Sequence, residues 1–122
     1  MGQRRGSAER LSHLQEAILS VVAEGECRGK GGAYGRGEIR AIVRTMDVTQ
    51  HLKQSYLRSL HNLDTKGLID KIPYTVHGQA SGWLVGLSAK GRALVRARGL
   101  FPPHLLRENH PARIDVPRPS AP

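Results

Sequence analysis

A chain of 122 residues with a formal charge of +9, from 19 Lys+Arg against 10 Asp+Glu, fits one basic domain with a short tail. Its single cysteine, Cys27, excludes an internal disulfide and a cysteine-built zinc site, and points to a reducing compartment. No apolar run approaches the roughly 20 residues a membrane helix needs, and MGQRRGSAER lacks the apolar stretch of a secretory signal, so a cytoplasmic, nucleoid-associated protein with polyanionic partners is expected.

Residues 1–7 read as a flexible basic arm. From Ala8 to Glu24, Leu11, Leu14, Ala17, Ile18, Val21 and Val22 recur at three- and four-residue steps, the stripe of an amphipathic helix that Gly25 should stop. The segment GECRGKGGAYGRG (25–37) reads as loop, with Tyr34 on a short strand at its end. Its Gly29-Lys30-Gly31 is not a phosphate-binding loop, because the glycine spacing is wrong and no Ser or Thr follows the lysine. A second helix runs from Glu38 to Met46, burying Ile39, Ile42, Val43 and Met46 and exposing Arg40 and Arg44.

MDVTQ then makes a tight turn, with Asp47 or Thr49 as helix cap and Gln50 completing a capping box. A third helix follows to Lys66, with Leu52, Tyr56, Leu57, Leu60 and Leu63 inward and Gly67 as its stop. LIDKI (68–72), closed by Pro73, and Trp83 to Leu87 read as two strands of a hairpin joined by a small polar loop. Ser88 caps a last helix, AKGRALVRAR, with Ala93, Leu94 and Ala97 inward. The remainder, 99–122, is a proline-rich tail, with PARIDVPRPSAP expected to be disordered.

A three-helix core (within residues 8–98), a β-hairpin wing and a C-terminal helix make an α+β winged helix-turn-helix plan. On the third helix the face opposite the leucines carries His51, Gln54, Arg58, His61 and Asn62, flanked by Gln50, Lys53 and Ser55. These are side chains that read base edges in a major groove, Arg on guanine and Gln or Asn on adenine. The face holds no carboxylate until Asp64. Arg40, Arg44, Lys66 and Lys71 are candidate phosphate contacts; His77 and Gln79 are candidates for the wing in a minor groove.

The run YLRSLHNLDTKGLIDKI resembles the recognition helix and first wing strand of MarR-type and PadR-type winged-helix regulators, with their R-x-L-x-x-L-x-x-K-G-L-I cadence. LSAKGRALV (87–95) is similar to the helix start after the wing in the same families. The resemblance spans Leu11 to Arg98 and implies a transcriptional regulator, a repressor in the first instance, acting on double-stranded DNA. It places Arg58 at a DNA-contacting arginine and Lys66 near a phosphate. The chain departs from the pattern at Leu57, where a small hydroxyl residue is usual, and in a wing without arginine. The resemblance further implies a homodimer, for which only the first helix or FPPHLLRENH could supply the contact.

Nothing in the sequence calls for catalysis or a cofactor. Six histidines (13, 51, 61, 77, 104 and 110) show no metal-ligand spacing. Between Asp70 and Glu108 there is no carboxylate, while Lys71, Lys90, Arg92, Arg96 and Arg98 accumulate as a phosphate-facing or RNA-facing margin. Trp83, Tyr34, Tyr56 and Tyr74 are expected in the core. An RNA- or ribosome-associated winged helix and a protein-interaction module stay open beside the regulator.

Overall fold

The computed structural model describes residues 10–46 and 52–116, apart from the side chains of Lys30 and residues 52–55. The basic arm and the turn with its caps at Asp47, Thr49 and Gln50 lie outside the described residues. Helix α1 (His13–Arg28) begins at Ser12, whose hydroxyl accepts from the Gln15 N–H while the Gln15 side chain accepts from the Ser12 N–H, a reciprocal capping box. A short 3-10 turn, Lys30–Gly32, leads to Tyr34, which forms an isolated antiparallel bridge to Val85. Helix α2 (Arg36–Val43) is capped by Glu38, which takes the Gly35 N–H at 2.9 Å. Then follow α3 (Leu52–Thr65), β1 (Ile69–Val76), β2 (Gln79–Leu87), α4 (Ala89–Arg98) and β3 (Ile114–Val116). The architecture is α+β, with four helices and a three-stranded sheet of order β2-β1-β3 among the described residues.

The first helix does not stop at Gly25. A Cβ there would meet the Tyr34 ring at 2.7 Å, so the glycine admits that ring against the helix instead of ending it. Helix α2 likewise starts two residues earlier than Glu38, which puts Arg36 on it. The hairpin is longer and tighter than its turn residues suggest. Val76 pairs with Gln79, leaving a two-residue turn in which His77 and Gly78 both have positive φ (56° and 80°), the signature of a type I′ turn. Pro73 does not close β1; it faces Trp83 next to a register irregularity before Thr75, where a missing N–H is tolerated.

Alternation along the strands builds two cores. Ile69, Val85 and Leu87 join Ile18, Val22, Ile39, Val43, Tyr56 and Leu63 on the helical side. On the other face, Ile72 and Leu84 meet Ala33 and Ile114. That second core overturns the expectation of a disordered tail over residues 111–116. Leu106 and Ile114 are buried, and β3 runs parallel to β1 with Tyr74 opposite Ile114. Gly86 leaves room for the His110 ring above the sheet, where a Cβ would come within 2.9 Å of it. Leu106, from the segment considered for dimer contact, is thus taken up by the chain's own core.

Helix α4 has the expected bounds. The Ser88 hydroxyl accepts from the Gly91 N–H, and Gly99 ends the helix in the left-handed conformation (φ 62°). Its inner side differs: Ala93 and Ala97 are exposed, while Gly91, Arg92, Leu94 and Val95 are buried. Arg92 is therefore no part of a solvent-facing margin. Its guanidinium makes a two-pronged pair with Glu26, at 2.6 Å and 2.9 Å, and donates to the carbonyls of Leu87 (3.1 Å) and Arg107 (2.7 Å). Glu26 also accepts the Leu87 N–H at 3.0 Å. This buried network joins α1, β2, α4 and the C-terminal segment.

Candidate nucleic-acid interface

Helix α3 is the element on which a reading face depends. Tyr56, Ser59, Leu60 and Leu63 are its buried described residues, an i, i+3, i+4, i+7 stripe. Leu57, expected inward, is 58% exposed because it stands about 100° around the helix from Tyr56. Arg58 and His61 are exposed and Asn62 is half-buried; the His61 Nε2 lies 3.5 Å from the Thr65 hydroxyl. The side chains of Lys53, Gln54 and Ser55, and all of Gln50 and His51, lie outside the described residues.

The phosphate candidates separate into three places. Arg40 and Arg44 stand on and just after α2, Arg40 half-buried with its Nε shut from solvent and without a partner, Arg44 exposed. Lys66 is half-buried past the end of α3, where its ammonium donates to the Arg10 carbonyl at 2.7 Å. Lys71 is exposed on β1, its Nζ 4.8 Å from the centre of the Trp83 ring. His77 and Gln79 are exposed at the hairpin tip.

Between α3 and the hairpin runs a groove of about 160 Å³, with Leu57, Leu60, Ile69 and Trp83 as its apolar lining and Arg36, His61, Asp64, Asp70 and Lys71 around it. Asp70 is taken up by His110, whose Nε2 approaches its carboxylate at 2.8 Å. Trp83 is half-buried against the main core and also serves as a platform for charge, with the Arg36 guanidinium carbon 5.3 Å from its centre. Arg36 lies within the segment 25–37 that reads as loop, and is not among the residues that the sequence marks as candidates. The signal that finds it is the four-residue repeat Arg36, Arg40, Arg44 along α2.

The cations differ in their partners, and Arg96 on α4 and Arg107 in the C-terminal segment make no ion pair with a described carboxylate. Arg28, Arg92, Arg98 and Arg113 are ion-paired, to Glu24, Glu26, Glu16 and Asp115, and belong to α1, α4 and the C-terminal segment. Arg36, Arg40, Arg44, Arg58 and Lys71, on α2, α3 and β1, make no ion pair with any described carboxylate. Among the described residues no group of three His, Cys, Asp or Glu side chains is placed to hold a metal ion, and no helix is long and apolar enough to cross a membrane.

Tyr56 ties the two helices of this face together. Its hydroxyl donates to the Arg36 carbonyl at 2.7 Å, and burial pushes its pKa up to about 12, against the opposing pull of Arg36 and Arg40. A phenol whose folded pKa exceeds the unfolded value of 10 contributes stability that is intact below pH 10 and lost as pH rises through 12. Denaturant melts of the parent and of Tyr56→Phe between pH 9 and 12 should therefore converge as the phenol ionises. Parallel curves across that window would show that Tyr56 is not the group responsible.

Comparison of the chain with protein-family models, with curated proteins and with solved structures gives no match in any of the three.

Proposed function

We propose that the chain is a non-enzymatic winged helix-turn-helix protein that binds duplex DNA in a sequence-specific manner and acts as a transcriptional regulator, a repressor, reading the major groove with α3. The observation that carries this reading is the gathering on α2, α3 and β1 of Arg36, Arg40, Arg44, Arg58 and Lys71, none of them in an ion pair with a described carboxylate. A surface that leaves arginines and a lysine without acid partners favours a polyanion, whose condensed counterions are released on contact. The element order supports it too: three helices, a bridge at Tyr34, a tightly turned hairpin and a closing helix follow the winged-helix plan. Arg58 and His61 are exposed one turn apart on α3, which supports the reading because side chains that enter a groove must point outward.

The experiment is binding of the purified protein to random-sequence duplex DNA over a salt series, with duplex RNA as competitor. A steep negative dependence of log affinity on log salt, undiminished by RNA, is expected. Preference for RNA would transfer the chain to the RNA-associated class, and no binding to either would leave the protein-interaction module. Once a preferred site is selected, Arg58→Ala should cost about 1–3 kcal/mol and relax the preference at one base position. A uniform loss over all sequences would instead make Arg58 a phosphate contact.

A further inference from the structure

Resting on the duplex-DNA reading above, we propose that Arg36 and Lys71, gathered on Trp83, form a phosphate clamp that holds the DNA backbone beside α3. Three distant pieces of chain build it: Arg36 opens α2, Lys71 lies on β1 and Trp83 on β2. The register puts Lys71 and Trp83 on one face of the sheet, because Lys71 pairs with Val85 and Pro73 with Trp83. The Arg36 backbone is tied to α3 by the Tyr56 hydroxyl, which donates to its carbonyl. Both charges then sit close to one ring, at 5.3 Å and 4.8 Å from its centre.

Two cations share one ring, and no described carboxylate pairs with either. Asp64 borders the same groove but makes no ion pair with them, and Asp70 is occupied by His110. An anion is what such an arrangement lacks. A phosphodiester suits it, since a guanidinium offers a planar fork to two phosphate oxygens and an ammonium binds phosphate as a point charge. The ring contributes in a second way. Lysine and arginine lose much rotamer freedom on binding, and side chains already resting on an aromatic face lose less. Leu57 and His61 of α3 border the same groove, so the clamp lies alongside the base-reading face.

The test is the salt dependence of binding to a random-sequence duplex for the full chain and for Arg36→Gln, Lys71→Gln and the double variant. Each single replacement should lower the slope of log affinity against log salt by about 0.9, and the double by about 1.8. The loss should be the same for every sequence. Trp83 is the only tryptophan, so its emission should change when duplex is added to the parent, and change less in the double variant. Both replaced side chains are exposed, and thermal melts should show the variants folded as the parent is. An unchanged slope in the double variant, with the parent still binding DNA, overturns the clamp and leaves the regulator reading standing. A parent that binds no duplex DNA overturns both.

Discussion

Replacing Arg92 by alanine is expected to lower the stability of the protein by about 3–5 kcal/mol, read as a shift of the urea or thermal midpoint. The figure follows from what is left behind rather than from the attraction that is lost. The Glu26 side chain has no exposed surface and that of Arg92 is only 6% exposed, so removing the cation strands a carboxylate where water cannot reach it. Two carbonyls, of Leu87 and Arg107, lose a charged donor at the same time. Arg92→Lys should rescue little, because one ammonium cannot span both carboxylate oxygens and both carbonyls. Replacing Glu26 by Leu and Arg92 by Met together should recover part of the loss, since a buried ion pair is often dispensable when both charges go. The recovery stays partial because the Leu87 N–H still loses the carboxylate oxygen that accepts it. If Arg92→Ala melts within about 0.5 kcal/mol of the parent, the pair is not buried in solution and this account fails.

Ending the chain after Gly99 is the second large perturbation. It removes the buried side chains of Leu106 and Ile114, each about 1.5–3 kcal/mol of apolar burial. It also uncovers Ile72 and Leu84 on the outer face of the hairpin and takes away the Arg107 carbonyl that Arg92 binds. Against a total stability of about 5–15 kcal/mol for a domain, the shortened chain should lose its cooperative unfolding transition or show it at much lower denaturant. A truncated protein that melts within about 1 kcal/mol of the parent would mean that residues 100–116 are an ornament to the fold rather than a part of it.

These two places are also where sequence reading fell short, for one physical reason. An arginine surrounded by glycine, alanine and other arginines is assigned to the surface, and only Glu26, 66 residues earlier, reverses that. A three-residue strand between prolines carries no periodicity, and its pairing to β1 depends on chain 40 residues away. Local signals were legible where local physics decides. The Ser88 cap and Gly99 stop give α4 its bounds, and the apolar stripes of α1 and α3 locate most of the helical core. Gly25 and Leu57 mark the limits of that approach, one serving a close contact instead of a helix end, the other apolar yet outward. At the candidate interface Arg58 and His61 were legible as an outward face, whereas the pairing of Arg36 with Lys71 through Trp83 needed three elements brought together.

The meeting of the first helix with the C-terminal segment has a consequence for how the molecule is made. Arg107 donates to the Glu26 carbonyl and the Cys27 thiol to the Leu105 carbonyl, contacts across 81 and 78 residues. On a ribosome, α1 emerges long before the residues that complete its surroundings. Until residues 105–116 have cleared the exit tunnel, Glu26 has no finished shell and the outer face of the hairpin is bare. Synthesis at roughly 5–20 residues per second leaves that gap open for several seconds, a window in which the half-made sheet is exposed to neighbours and chaperones. Folding of this chain is thus tied to the arrival of its last described strand.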